Sequence, residues 1–272
     1  MTSGHWSLDD ISWERFDASK VDPELVKIVK AASMVEYNGG EYATYLCNVF
    51  PDDAEFQAAA QSWAKEEVQH GAALARWAKL ADDGFDFEDS FGRFRDGYRI
   101  SVEASDSIRG SRSGELVARC IVEVGTSSYY ASIGATTEEP VLREICRNIA
   151  ADELRHYKLF YSHLRRYLEH EGIGKWKRVA VALSRIGESE DDELAYAFYA
   201  ANENREKPYD RKACGQAYMK RAFACYRRPQ VQRAVAMIFK AAGLNPQGRT
   251  ANLAAHAAYG FIRLRGRMLK AA

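Results

Sequence analysis

An all-α fold is predicted by three features of the sequence. Apolar residues recur at helical spacing over long stretches, alternating strand-like runs are almost absent, and Pro and Gly gather at the ends of those stretches. With 272 residues, 47% of them hydrophobic, the chain is long enough to bury a substantial core. No apolar run approaches the roughly 18 residues needed to cross a bilayer, so no transmembrane segment is expected. Met1–Asp10 has neither a basic nor an apolar stretch and does not read as a secretion signal, which places the chain in the cytoplasm. The five cysteines include no Cys-x-x-Cys pair and read as reduced thiols rather than as a disulfide framework or a zinc site.

Residues 1–21 read as an N-terminal arm, with Trp6 and Trp13 as its anchors. Asp22 followed by Pro23 is an N-cap with proline at the first helical position, opening a helix expected to reach about Phe50, where Pro51 ends it. Asp52 or Asp53 starts a second helix through about Leu80, closed by the turn residues Asp82, Asp83 and Gly84. Residues 84–113 read as a linker in which Phe85, Phe87, Phe91 and Phe94 are packing anchors. A third helix is expected over about Gly114–Ala135 and a fourth over about Glu138–His170, stopped by Gly172 and Gly174. These four make a bundle over residues 22–171. Residues 172–272 carry shorter helical segments near 176–186, 191–204, 210–226, 229–242 and 248–269, expected to pack on the bundle as an extension within a single domain.

The chemistry-bearing residues fall at related places on the four helices. Glu67 and His70 form a Glu-x-x-His pair, and Glu153 and His156 form another; residues three apart share a helix face and can reach the same ion. Glu36 lies 31 residues before Glu67, and Glu123 lies 30 before Glu153. At ~1.5 Å per residue that interval fits one helix going out, a turn, and an antiparallel neighbour returning to the same level. Glu41, only 26 residues before Glu67, fits that return less well. The intervals Glu36–Glu123 and Glu67–Glu153, 87 and 86 residues, suit two helix pairs related by a pseudo-twofold axis.

One glutamate from each of two helices, with a Glu-x-x-His from each of the other two, is the ligand set of ferritin-like di-metal proteins. The expected fold is therefore a ferritin-like four-helix bundle with a di-metal centre plus additional C-terminal helices. Four carboxylates facing a bundle interior repel one another and are costly to desolvate unless two divalent cations neutralise them. Oxygen and nitrogen donors with open positions suit iron, with manganese as the other candidate, better than structural zinc. Glu66 and Asp152, each next to a candidate ligand, are placed to accept a hydrogen bond from the distal nitrogen of the histidine in the opposite motif. Ala32, Ala43, Ala60, Leu74, Ile149 and Phe160 flank the ligands with small or apolar walls that can exclude water and admit an alkyl chain.

The stretch Trp63-Ala-Lys-Glu-Glu67-Val-Gln-His70-Gly71 resembles the Trp-x-x-Glu-Glu-x-x-His-Gly segment of the soluble acyl-carrier-protein desaturases. Ile145-Cys-Arg-Asn-Ile-Ala-Ala-Asp152-Glu153-Leu-Arg155-His156 is similar to that family's Ile-Ala-x-Asp-Glu-x-Arg-His segment, and the match covers about residues 30 to 165. The resemblance implies a di-iron cluster on Glu36, Glu67, His70, Glu123, Glu153 and His156 that reduces O2 with electrons from a ferredoxin. It also implies removal of hydrogens from an acyl chain carried on acyl carrier protein, a homodimer, and Thr126 beside the oxygen-binding side, assisting proton delivery. The same ligand set also serves hydroxylases, rubrerythrin-like peroxidases and iron-storing proteins, and those alternatives stay open. A radical-forming tyrosine of the ribonucleotide reductase type would occupy the position of Leu74; Tyr37, Tyr129, Tyr130 and Tyr157 read instead as core or cavity wall.

The zero net charge hides a gradient: residues 1–90 hold 18 acidic against 7 basic residues, 91–180 hold 12 against 15, and 181–272 hold 8 against 16. Arg211–Ala272 contains thirteen basic residues and no acidic one. Such a block is either a solvated face or a docking surface for anionic partners, here acyl carrier protein and ferredoxin. No interleaved aromatic stacking motif accompanies it, so nucleic acid is not the expected partner, whereas contact of Arg263, Arg265 and Arg267 with anionic lipid is compatible with it.

Overall fold

The computed structural model describes residues 5–100, 102–188 and 192–271. Residues 1–4 of the expected arm, Asp191 at the start of an expected helix and Ala272 lie outside the described residues. Among the described residues the chain is all-helical, with no strand, and no helix is long and apolar enough to cross a membrane. The N-terminal arm makes short 3-10 turns at Leu8–Asp10, Trp13–Arg15 and Ala18–Lys20.

Side-chain caps set most of the helix starts that matter to the site. Helix α1 (Pro23–Tyr37) begins where the Asp22 carboxylate accepts the Glu24 N–H at 2.8 Å, with Pro23 in the first turn. Helix α2 (Gly39–Val49) follows, then α3 (Ala54–Ala81), capped by Asp53 accepting from Phe56 N at 3.0 Å, and α4 (Phe87–Gly97), capped by Asp86. Helix α5 (Arg112–Thr136) starts at Ser111, whose Oγ accepts from Gly114 N, and α6 (Pro140–Glu171) starts at Glu139, which accepts from Val141 N and Leu142 N. The remaining helices are α7 (Lys175–Gly187), α8 (Asp192–Asn202), α9 (Arg211–Cys225), α10 (Arg228–Ala241) and α11 (Arg249–Ala271).

Two expectations are corrected. The first helix does not run unbroken to Phe50, because Asn38 (φ −80°, ψ 4°) interrupts it and the chain restarts as α2. At that break the backbone presses on α3 so closely that a Cβ on Gly39 would sit 2.5 Å from the Glu67 Cβ. The segment 84–113 is likewise not a plain linker, since it contains α4, which turns Phe94 fully inward and stacks Phe87 on Phe91. Phe87, Phe91 and Phe94 fall at helical spacing behind the Asp86 cap, a local signal for this short helix.

The long helices are antiparallel neighbours. On α1 and α3, Gly71 faces Ser33 and Tyr37 while Lys30 pairs with Asp82. On α3 and α6, Phe56 meets His163, Trp63 meets His156, and the Trp77 indole donates to Glu139 at 2.7 Å. On α5 and α6, Ser127 donates to Ala150 O at 2.9 Å and Ser113 N donates to Glu171 at 2.7 Å. The buried apolar residues form two large clusters along the long helices and a small third one, Val231, Val235 and Ala255, between α10 and α11. On α3 one takes Phe56–Ala64 and the other Ala73–Ala78; on α6 one takes Tyr157–Leu164 and the other Val141–Ala150. Glu67, His70, Glu153 and His156 occupy the gap between the two. Phe198 of α8 with Cys214 and Tyr218 of α9 belongs to the same cluster as α1 and α3, so the C-terminal helices share the core.

Gly71 permits the contact that brings α1 to the site. A Cβ there would lie 2.5 Å from Tyr37 N and 2.7 Å from Ser33 O, backbone atoms that cannot turn aside. Gly71→Ala is therefore expected to lower the free energy of unfolding by about 1–3 kcal/mol. Gly40→Ala, in α2 with no heavy atom near its added methyl, is expected to be neutral or stabilising by about 0.5–1 kcal/mol. Urea denaturation midpoints of the two variants check the contrast.

Candidate metal centre

Helix α3 places Glu67 and His70 on one face, α6 does the same for Glu153 and His156, and α1 and α5 bring up Glu36 and Glu123. All six side chains are buried, at 0–7% exposure. Their donor atoms form two groups, Glu36, Glu67, His70 and Glu153 in one and Glu67, Glu123, Glu153 and His156 in the other, each with its atoms within 4.8 Å of one another. Glu67 and Glu153 belong to both groups. Glu41, the competing position, lies outside them, taking a hydrogen bond from Asn38 at 3.3 Å and facing Arg95.

The two histidines are held in one orientation by acids outside the groups. Asp152 Oδ2 lies 3.0 Å from His70 Nε2, and Glu66 Oε2 lies 3.2 Å from His156 Nε2. Each acid thus serves the histidine of the opposite motif. Arg155 braces both, pairing with Asp152 and donating to Glu66 at 2.9 Å. Burial works against the charged forms of Asp152 and Glu66, but their histidine and Arg155 neighbours hold both carboxyls below the ordinary range. An Nε2–H donated to a carboxylate leaves Nδ1 with its lone pair facing inward.

What the inward atoms meet decides the chemistry. His70 Nδ1 is 3.3 Å from Glu153 Oε1 and 3.7 Å from Glu36 Oε2, while His156 Nδ1 is 3.0 Å from Glu67 Oε1 and 3.5 Å from Glu123 Oε2. None of these approaches is a hydrogen bond: Glu67 Oε1, Glu123 Oε1, Glu153 Oε1 and both Nδ1 atoms are fully buried without a partner. Lone pairs converging on lone pairs in a dry interior are strongly unfavourable unless a proton or a cation lies between them. Without cations the cluster takes protons. Burial, then the neighbouring carboxylates, push Glu67 well up and Glu123 up to about 8. Burial opposes charge on His70 and His156 too, but the surrounding carboxylates outweigh it and raise both well above the ordinary imidazole range. Glu153 alone is driven down against its burial, by the two imidazoles beside it.

Three further contacts complete the site. The Thr126 hydroxyl, one turn after Glu123, lies 2.6 Å from Glu153 Oε2 and 3.0 Å from the Glu123 carbonyl. Tyr130, expected only as wall, donates to Glu36 Oε1 at 2.5 Å. Trp6 of the N-terminal arm donates its indole N–H to Asp152 Oδ2 at 2.7 Å and stacks on the His70 ring, with Gln69 holding its carbonyl. Tyr130 lies two helical turns after Glu123, on the same face of α5, whereas the 146 residues between Trp6 and Asp152 carry no spacing signal. Among the walls, Ala60, Leu74, Ile149 and Phe160 are fully buried, and Ala32 and Ala43 nearly so. The cysteines Cys120 and Cys146 are buried free thiols pushed up by burial, and no sulfur joins either donor group.

No family model matches the chain, and no curated protein matches its sequence. The donor geometry therefore stands by itself.

The proton account gives a signed pH dependence. Folded metal-stripped protein keeps protons on Glu67, Glu123, His70 and His156 at pH values where the unfolded chain has released them. The stabilisation they carry is complete below the ordinary glutamate value of 4.5 and is lost as pH rises toward about 8 for Glu123. Chemical denaturation of chelator-treated protein is expected to give a lower midpoint at about pH 8 than at about pH 5, and a bound divalent cation is expected to abolish that trend by replacing the protons.

Proposed function

We propose that the chain is a ferritin-like di-iron carboxylate oxidoreductase that uses O2 to act on an acyl chain, and specifically an acyl-carrier-protein desaturase. The observation that carries the proposal is the pair of overlapping donor groups, each with buried, unpartnered oxygen and nitrogen atoms and with two glutamates in common. That donor set would hold two divalent cations, Glu36 and His70 serving one and Glu123 and His156 the other, with Glu67 and Glu153 common to both groups. All-oxygen-and-nitrogen donors favour iron or manganese. The motif resemblance around Glu67 and Glu153 favours iron and the desaturase chemistry.

When bound, two ferrous ions supply the electrons and open coordination positions that O2 reduction requires. The chain's own residues do the rest. Asp152 and Glu66 fix the histidine tautomers, so both Nδ1 lone pairs stay available. Thr126 holds a proton at Oγ1, shared with Glu153 Oε2, where proton delivery to the oxygen side is needed. Tyr130 steadies Glu36 through its hydroxyl. The Trp6 indole and the Asp152 carboxylate form a continuous hydrogen-bonded line from the arm to His70, a route for electrons from a ferredoxin-type donor. Buried Ala60, Leu74, Ile149 and Phe160 keep water from an alkyl chain. The basic stretch from Arg211 to Ala272, which has no acidic residue, steers the acidic carrier and donor proteins in the cytoplasm, and the resemblance adds a homodimer.

Anaerobic loading with iron and reduced ferredoxin, followed by O2 and mass spectrometry of acyl-carrier-protein substrates, tests the proposal. The expected product is lighter by two hydrogens. A product heavier by one oxygen atom would make the protein a hydroxylase, and O2 uptake without an acyl product would make it a rubrerythrin-like oxidase or peroxidase. A chain that takes up iron and consumes no O2 would be an iron-binding protein.

Metal content separates the shared ligands from the outer ones. Elemental analysis is expected to find two ions per chain, one for each donor group. Glu67→Gln and Glu153→Gln, which strike both groups, are expected to bring the content close to zero, whereas Glu36→Gln and Glu123→Gln each leave about one ion.

A further inference from the structure

Helix α11 is apolar on two faces. On the inner one, Ala255, Ala258 and Ile262 pack with Val231 and Val235 of α10. On the outer one, Leu253, Phe261, Leu264 and Met268 are 72%, 58%, 59% and 59% exposed. At ~3.6 residues per turn these four fall within about 80° of arc, so they form one continuous ridge along a helix of 23 residues, about 34 Å long. Arg263, Arg267 and Lys270, all exposed, follow one edge of the ridge. A contiguous exposed apolar surface of this kind marks an interaction site rather than ordinary surface.

Charge selects the occupant. From Arg211 onward the chain has thirteen basic residues and no acidic one, so a second copy laid ridge to ridge would set like charges against each other. The shape selects further. The ridge is convex and stands on a helix anchored from behind, which suits a planar surface better than the groove of a protein partner. A large apolar ridge edged by Arg and Lys is how a helix lies in a bilayer interface, with apolar side chains among the acyl chains and cations at the lipid phosphates. Helix α7 repeats the pattern: Trp176 and Leu183 are 73% and 63% exposed beside Lys175 and Lys177. Helix α10 packs on α11 through Val231 and Val235, and its Ala241 belongs to the same apolar cluster as Val181 and Ala182 of α7.

We infer that α11 docks the protein on an anionic phospholipid surface, with Leu253, Phe261, Leu264 and Met268 in the acyl region and Arg263, Arg267 and Lys270 at the phosphates. This docking is independent of what the metal centre does.

Co-sedimentation of the full chain with vesicles of phosphatidylcholine alone, and of phosphatidylcholine with phosphatidylglycerol, tests it. The protein is expected to partition onto the anionic vesicles only, less so as salt is raised. The variant Phe261→Glu/Leu264→Glu, at exposed sites, is expected to keep its helicity and metal content while its partition coefficient falls at least about tenfold. Replacing Arg263, Arg267 and Lys270 together by Gln is expected to lower it by about a hundredfold. Equal partitioning onto neutral and anionic vesicles, no partitioning onto either, or no change in the Phe261/Leu264 variant overturns the inference. A dimer in light scattering that this variant alone converts to monomer, without vesicle binding, also overturns it, by showing a second copy on the ridge.

Discussion

Four carboxylates and two imidazole lone pairs pointed at one another in a dry interior are the constraint on which the structure turns. Among the described residues nothing donates a hydrogen bond to Glu67 Oε1, Glu123 Oε1 or Glu153 Oε1. The layer therefore needs something positive inside it, protons or metal cations, and its buried donor atoms are grouped so that they could hold a cation. Asp152 and Glu66 occupy the outward nitrogens of His70 and His156, so each ring offers a lone pair inward instead of a second N–H. The apolar core is split into two clusters by the same layer, one on each side of the ligands along α3 and α6. A seam of this kind forfeits burial that Leu or Ile in its place would supply, and a chain retains it where the polar layer is useful.

Much of this was legible in the sequence, and for a physical reason. Helical rise converts residue spacing into distance, so Glu36 to Glu67 and Glu123 to Glu153 announce four levels that meet, and the crossed support from Glu66 and Asp152 follows from the same repeat. The helix starts were equally readable, because Asp22, Asp53 and Ser111 are caps whose chemistry is local. Part of what escaped was local: Asn38-Gly39-Gly40 is itself a turn-prone run, and Phe87, Phe91 and Phe94 fall at helical spacing in the short helix α4. The rest was set by tertiary contact. Trp6 and Tyr130 reach Asp152 and Glu36 across the fold, and their residue types alone mark them as core. That Glu67 and Glu153 serve both donor groups also needs coordinates, since each motif by itself accounts for one ion.

The two halves repeat each other in their ligands and differ in everything around them. The group containing Glu36 and His70 has a tyrosine on its glutamate and an indole on the acid behind its histidine. The other group has neither; there Thr126 lies against the shared Glu153, and the Trp63 ring stands edge-on to His156. Under the proposed function, like ligands with unlike neighbours would give two sites of different reactivity, as a reaction that takes electrons on one side and protons on the other requires.

The height of the layer along the helices matters as well. Glu67 and His70 lie near the middle of α3, and Glu153 and His156 near the middle of α6, with the caps at Asp53 and Glu139 more than a dozen residues away. Apolar packing therefore holds the helices above and below the ligands, and the charged layer adds its tie where that packing is interrupted. Under the proposed function, removing the cations would loosen the centre while leaving the clusters around Trp77 and around Phe56 and Phe160 in contact. Such a frame keeps its ligands in register between occupancies, which is what repeated oxidation and re-reduction of a bound pair of ions demands of the protein that carries them.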